Sequence, residues 1–241
     1  MESQARPFAG QVALVTGASK GIGAATALAL GKAGAHVILT ARDVKGLEAV
    51  EEAIHQAGGS ATIAPVDLSE PDGVARLATA IRGRWDRLDV LVIAAAILPQ
   101  LTGVTDIDQA SFNKALTVNV LATQSLIAHF DGLLRKSENP RVIGLTSTVA
   151  TAPRAYWGAY AATKAAFEQL LDSWAQEVRA VSRIRVAIVN PGATRTAMRA
   201  RAYPGEDPAS VKAPEVVAER LLALLGEPFA SPHRETVNQK A

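Results

Sequence analysis

The amino-acid sequence predicts an α/β fold, a three-layer doubly wound parallel sheet with helices on both faces. Three observations carry that prediction. Six short runs rich in Val, Ile and Leu recur along the chain, they are apolar almost throughout instead of alternating, and helix-length segments separate them. Strands covered on both faces read this way, because both sets of side chains are buried. One repeat takes roughly 25 to 45 residues, the length of a strand–helix–strand crossover, which sets neighbouring strands parallel.

The first run, Gln11–Thr16 (QVALVT), leads through a glycine-rich turn into a helix over Gly21–Gly34. His36–Thr40 (HVILT) is the second strand and Val44–Gly58 the second helix. Thr62–Val66 and the helical Glu70–Trp85 follow. Asp89–Ala94 (DVLVIA) precedes Ile107–Leu134, which reads as one long helix. Arg141–Thr146 (RVIGLT), the helix Gly158–Val181 and the strand Arg185–Asn190 (RVAIVN) complete the alternation. No repeat, low-complexity tract or Pro/Gly linker interrupts it, so residues 1–241 are expected to form a single domain with a core over 8–199. After Pro191 the character changes: Arg195, Arg199 and Arg201 precede a loop at Tyr203–Pro208, and a helix at Pro214–Leu225 and a polar tail follow.

Composition narrows the function before any motif does. Apolar residues make up 49% of the 241 and charged residues 20%, a globular balance able to bury a sizeable core. Lys plus Arg number 25 against 23 Asp plus Glu, a net +2 that gives no footprint for nucleic acid or an anionic membrane. Zero cysteines exclude disulfides, a thiol nucleophile and Cys-ligated metal. The longest apolar run, Val90–Leu98, is far short of the roughly 20 residues of a membrane span. The polar start, Met1–Pro7, is not a signal peptide. A cytoplasmic protein is expected. None of the four histidines stands at a metal-ligand spacing, so no metal is expected.

Thr16-Gly17-Ala18-Ser19-Lys20-Gly21-Ile22-Gly23 joins the first strand to the first helix. Such a Thr-Gly-x-x-x-Gly-x-Gly string arises by chance in roughly one sequence of this composition in 150. Glycines let the backbone approach a pyrophosphate, and the helix N-terminus offers free N–H groups and a positive dipole end. The loop therefore reads as a dinucleotide site. At the end of the second strand, where a carboxylate would bond the 2′-hydroxyl of NAD, stand Ala41 and then Arg42. Lys20 can converge on the same point, and two cations without a carboxylate suit a 2′-phosphate. The expected cofactor is NADP(H). Asp67, followed by Leu68 after the third strand, can accept from an adenine amino group or cap the next helix.

Tyr160 and Lys164 lie at i and i+4 of a predicted helix and share one face. A Tyr-x-x-x-Lys pair alone is weak, since chance supplies it in roughly one such sequence in ten. Ser147, thirteen positions earlier at a strand end, and Asn119 in the preceding long helix give it weight. With Thr16–Gly23, Asn190-Pro191-Gly192 and Thr196, these residues make the chain resemble the short-chain dehydrogenase/reductase family over roughly residues 8–199. Within that family it looks most like bacterial NADPH-dependent 3-oxoacyl reductase-type proteins, chiefly through the run Pro191–Arg199.

The resemblance implies a Rossmann-type sheet of order 3-2-1-4-5-6, with room for a short seventh strand, and hydride transfer between a nicotinamide and a small or acyl carbonyl. Tyr160 would be the acid or base, its phenol drawn down toward neutrality by Lys164 and the positive nicotinamide of the oxidised cofactor, and Lys164 would also bond the nicotinamide ribose. Ser147 would donate to the substrate oxygen. Asn119 would hold a water behind Lys164. Pro191, Gly192, Thr194 and Thr196 would border the nicotinamide or the phosphates. Tyr156 lacks a lysine partner and is expected to pack or line the substrate mouth with Trp157. Arg154, Arg195, Arg199 and Arg201 fall in segments bordering the cleft, as ligands of an anionic or carrier-bound acyl substrate or as a solvated rim. A non-catalytic NADP(H)-binding regulator and an NADP-dependent enzyme oxidising an alcohol or hydroxysteroid are the other readings.

Two departures from the family stand out. Ile93-Ala94-Ala95-Ala96 replaces the usual Asn-Asn-Ala-Gly. Ala94 and Ala95 can still offer backbone to the adenosine ribose, but the asparagine bonds are lost, and a positive φ at Ala96 would cost about 1 kcal/mol. The usual C-terminal ending is also missing, leaving Glu235–Asn238 as at best a truncated seventh strand. A homodimer through the two long helices is expected, with a tetramer as the larger alternative.

Overall fold

The computed structural model describes residues 6–237. Seven parallel strands form one sheet in the order β3-β2-β1-β4-β5-β6-β7. They are β1 (Val12–Thr16), β2 (His36–Thr40), β3 (Ser60–Ile63), β4 (Val90–Ile93), β5 (Arg141–Leu145), β6 (Arg185–Asn190) and β7 (His233–Thr236). The third strand starts two residues earlier than Thr62 and its regular ladder with His36–Leu39 of β2 ends at Ile63, just before Ala64-Pro65, although Ala64 N and Val66 N still donate to Leu39 O and Ala41 O. The seventh strand does form, pairing Ala187–Asn190 with His233–Thr236. Asn238 lies outside the described residues.

Alternation within each strand explains the continuous apolar runs. Leu14, Leu91, Val142 and Val186 join one buried cluster with α3 (Gly73–Arg82), α5 (Ala122–Leu134) and α6 (Gly158–Val178). Their neighbours Ala13, Val90, Ile143 and Ala187 join a second with α1 (Gly21–Lys32), α2 (Val44–Gln56) and α8 (Pro214–Gly226). Each face is a separate dry core, so neither set of strand side chains can be polar.

The segment Ile107–Leu134 is not one helix. It divides into α4 (Gln109–Leu116), a π turn over Thr117–Leu121 and α5. The wide turn carries Asn119, which is buried and reaches sideways to other elements (below). A π turn exposes a backbone face that a regular helix closes, and such turns mark functional positions. Gly144 lets α6 lie close on β5, since a Cβ there would stand 2.8 Å from Phe167 Cζ. That close approach brings the α6 face carrying Tyr160 and Lys164 to the C-terminal end of β5. A last short helix, α7 (Ala197–Ala202), crosses in front of those strand ends. No helix among the described residues is long and apolar enough to cross a membrane.

Candidate active site

Two cavities open at the C-terminal ends of the strands, where doubly wound sheets bind ligands. The larger, about 710 Å³, runs from the glycine loop past Arg42, Asp67 and Leu68 to Ala94, Ala95 and Lys164. The smaller, about 330 Å³, lies beneath α7 and is walled by Ser147, Leu98, Val149, Trp157, Met198 and Ala202. Tyr160 borders both, together with Ile22, Thr146, Pro191, Thr196 and Met198. A molecule in one cavity therefore meets a molecule in the other at the Tyr160 side chain.

The glycine loop is shaped by close approach. Gly17 has φ +68°, and a Cβ there would stand 2.9 Å from Ala95 Cα. A Cβ on Gly23 would collide with the Gly17 carbonyl. Helix α1 begins after Lys20 with no side-chain cap and no acidic residue in its first turn. Its first N–H groups therefore have no side-chain acceptor and border the cleft, which fits a pyrophosphate. Thr16 replaces the missing asparagines in part: its Oγ1 accepts from Ala94 N and Ala95 N, both at 3.1 Å. Ala96 is not among the residues with positive φ, so the expected strain there is absent.

At the far lip, Lys20 and Arg42 are exposed, but Arg42 is shared. Its Nη1 lies 3.7 Å from Asp67 Oδ2. Asp67 neither caps the next helix, which starts at Gly73 after Asp72, nor stands free. Its Oδ1 accepts from Ser69 N at 2.8 Å and from Ser69 Oγ at 2.7 Å. Burial pushes its carboxyl up, but the Ser69 bonds and the Arg42 and Lys114 cations outweigh that and hold it below its ordinary value.

At the junction, Tyr160 and Lys164 are both buried. Lys164 Nζ donates to Leu145 O at 2.7 Å and lies 4.4 Å from the Phe167 ring centre. Burial pushes the Lys164 ammonium down to about 8, partly offset by Glu168. Burial also pushes the Tyr160 phenol up, above its ordinary value. In the protein without cofactor, burial thus keeps Tyr160 a phenol, while the Lys164 ammonium donates to Leu145 O. Among the described residues the Tyr160 hydroxyl has Met198 Sδ, at 4.0 Å, as its hydrogen-bond partner. Ser147 is partly exposed at the wall of the smaller cavity.

Asn119 borders neither cavity. Its Oδ1 accepts from Ile97 N at 2.9 Å, and its Nδ2 donates to Ile97 O at 3.0 Å and to Thr163 Oγ1 at 2.9 Å. The amide pins the chain after β4 to α6 one residue before Lys164. Gly192 (φ +63°) and Thr194 line the smaller cavity instead of the larger one. Thr194 Oγ1 is spent on Pro191 O and Gly192 O, and Thr196 Oγ1 caps α7 by accepting from Arg199 N at 3.1 Å while its residue still borders the cleft.

The arginines expected at the substrate mouth largely have other partners. Arg199 makes a two-pronged pair with Glu206, at 2.7 and 2.5 Å, and stacks on Tyr203. Arg201 donates to Leu98 O, and Arg154 to the Tyr203 hydroxyl. Arg195 borders the larger cavity and not the smaller. These bonds strap α7 down over the site. Tyr156 does not line the mouth either: it is 66% exposed at φ +70°. The strained turn, which for a non-glycine residue costs on the order of 1 kcal/mol, places Trp157 against the cavity.

Fold and site define an NAD(P)-dependent oxidoreductase built on a three-layer sheet. The family model described as short chain dehydrogenase matches residues 11–207. The Escherichia coli K12 oxidoreductase YciK is 35% identical over 220 residues, covering 90% of this chain and 86% of that protein. A short chain dehydrogenase from Shigella flexneri 2a strain 301, solved with NADP, superposes with a TM-score of 0.91 at 32% identity over 97% of this chain and 98% of that one. Another from E. coli CFT073, solved with NADPH, gives 0.92 at 33% identity over 98% and 100%. The chain belongs to the short-chain dehydrogenase/reductase family.

Proposed function

We propose that this protein is a single-domain NADPH-dependent carbonyl reductase in which Tyr160 delivers the proton. The observation that carries the reading is that Tyr160, buried and held in its acid form, stands in the wall shared by the two cavities. NADP and NADPH in the two related structures, and the open α1 N-terminus with Lys20 and Arg42 at the far lip, support NADP(H) in the larger cavity. The backbone of Gly17–Gly23, Ala94 and Ala95 would line it, and Lys164 would reach its sugar. That cofactor supplies a hydride when bound. Tyr160 Oη then gives its proton to the oxygen of a carbonyl seated under α7, and Ser147 donates a hydrogen bond to that oxygen as charge gathers there. Asn119 acts at one remove, by fixing the Ile97 backbone and Thr163.

The smaller cavity favours a compact, uncharged carbonyl over an anionic one. Leu98, Val149, Trp157, Met198 and Ala202 share its walls with Ser147, Thr148 and Asn190, and the arginines around it are already bonded within the protein. We place the protein in the cytoplasm as a homodimer through α4–α5 and α6, where Leu121 stands 61% exposed at the π turn. The test is NADPH oxidation across a panel of apolar ketones, aldehydes and β-ketoacyl thioesters, alongside fluorescence titration with NADPH and NADH. Turnover of apolar ketones with tighter NADPH binding is expected. Binding without turnover of any compound would overturn the enzyme reading, and equal or tighter NADH binding would overturn the cofactor choice.

A further inference from the structure

Helix α6 presents Tyr160, Lys164, Glu168 and Asp172 at successive four-residue intervals, one face of the helix against β5 and β6. The function above uses the first two. The third is built into the same wall with more bonds than either. Glu168 Oε1 accepts from Thr146 Oγ1 at 2.5 Å, and Oε2 accepts from Arg234 Nη1 at 2.6 Å. Arg234, on β7, donates its other Nη to Asp172. The Glu168 side chain is 8% exposed, against 47% for Arg234.

Two consequences follow from the order of these contacts. Lys164 holds the carbonyl of Leu145 and Glu168 holds the hydroxyl of Thr146, so successive turns of α6 grip the two residues directly before Ser147. The second consequence concerns charge. Among the described residues Lys164 makes no ion pair, and Glu168 is the charged group acting on it. The groups facing Lys164 are Tyr160 and Glu168 from its own helix, the Leu145 carbonyl from β5 and the ring of Phe167. The π turn contributes only the uncharged Asn119, through Thr163. Behind Glu168 stand Arg234 and Asp172. An ammonium this buried needs a compensating charge. A direct ion pair would pull Nζ off Leu145 O and away from the cleft. As it stands, both Glu168 oxygens already have donors, Thr146 Oγ1 and Arg234 Nη1, and Lys164 Nζ bonds Leu145 O instead.

We propose that Glu168 is a positioning residue for the Ser147–Tyr160–Lys164 set, holding Thr146 in place and lending Lys164 a counter-charge at a distance that Arg234 enforces. The role rests on the reading of that set as catalytic. It also gives the seventh strand a task beyond completing the sheet, since β7 carries the residue that locks the arrangement.

The experiment is a pH titration of Lys164 by 13Cε/15Nζ NMR on lysine-labelled protein, with and without NADPH, the resonance being identified by its loss in Lys164→Arg. Glu168→Gln keeps an acceptor for Thr146 but removes the charge, so the Lys164 midpoint should fall by about one unit or more. Arg234→Gln frees Glu168 to pair with Lys164, so the midpoint should rise, with weaker NADPH binding as Nζ leaves its place. The alkaline limb of kcat should move with the midpoint in each variant, and Glu168→Asp with its charge intact should restore the titration toward wild type. Opposite shifts follow from removing a negative and a positive charge; the loss of NADPH affinity in Arg234→Gln alongside its raised midpoint is what a merely structural salt bridge would not produce. Midpoints within about 0.3 units of wild type in both, or shifts of the same sign, would overturn the proposal. Should Glu168→Gln fail to fold, Arg234→Gln decides alone: a raised midpoint with weakened NADPH binding supports the proposal, and no rise, or a rise with NADPH binding unchanged, sinks it. Because the titration needs no substrate, absence of turnover in the wild type would count against the carbonyl-reductase reading and leave this test standing.

Discussion

The two cavities that meet at Tyr160 are made in different ways. The larger is walled by backbone: a glycine turn pressed against Ala95, an uncapped helix start, and strand ends tied by Thr16. The smaller is walled by side chains under α7, and α7 is held by side chains that bond one another, Arg199 with Glu206, Arg201 with Leu98 O and Arg154 with Tyr203. Backbone walls tolerate little variation and recognise what every dinucleotide shares. Side-chain walls can be rebuilt one residue at a time, which is where selectivity resides.

The sharpest way to break the contrast is Gly17→Ala. It forces a side chain into a left-handed backbone already 2.9 Å from Ala95 Cα. NADPH binding and turnover should both vanish, with stability down by about 3 kcal/mol and Tm by roughly 6–12 °C. Retained NADPH affinity by fluorescence would show that the turn is not the binding surface. Ser147→Ala comes next, and affects only the smaller cavity: kcat should fall by about 10²–10³ with NADPH affinity unchanged, in steady-state kinetics paired with titration. A double-mutant cycle of Arg199→Ala and Glu206→Gln should be non-additive and give a several-fold rise in KM for the carbonyl, leaving KM for NADPH alone. An effect on NADPH instead would mean that α7 serves the cofactor side.

Smallest is a pH effect read on the protein without ligand. Lys164 sits at about 8 in the folded protein, below its ordinary value of 10.5, so between those values the unfolded chain binds more protons. Stability carried by this group therefore rises with pH through that window. Tyr160 works in the opposite direction above pH 10, where the folded protein keeps a phenol proton that the unfolded chain has lost. Denaturant melts of wild type and Lys164→Met from pH 7 to 10 should show the wild type gaining on the variant. A flat difference would contradict the buried, under-compensated ammonium.

The same contrast explains what was legible in the sequence. The parallel sheet, both helix layers and the glycine loop follow from local patterns, since Thr16–Gly23 and the apolar runs constrain the backbone directly, whereas the strand order comes only with the family resemblance. The π turn at Asn119 was hidden, because the hydrophobic spacing of Ile107–Leu134 reads the same with or without one wide turn. Shared arginines were hidden for another reason. Arg42 with Asp67 and Arg234 with Glu168 pair residues 25 and 66 positions apart, and no local pattern marks a partner at that distance. The upward push on Tyr160 is likewise a property of burial, invisible in a Tyr-x-x-x-Lys string. Glu168 left a faint signal, since it continues the four-residue spacing of Tyr160 and Lys164.

The central claim is that the two cavities cooperate through one phenol. Tyr160→Phe tests it most directly, with NADPH binding and carbonyl-dependent NADPH oxidation measured side by side on the same preparation. The account predicts that turnover falls by at least about a thousandfold while NADPH affinity stays within about threefold of wild type. Turnover within about tenfold of wild type would contradict it, because the proton would then come from another group.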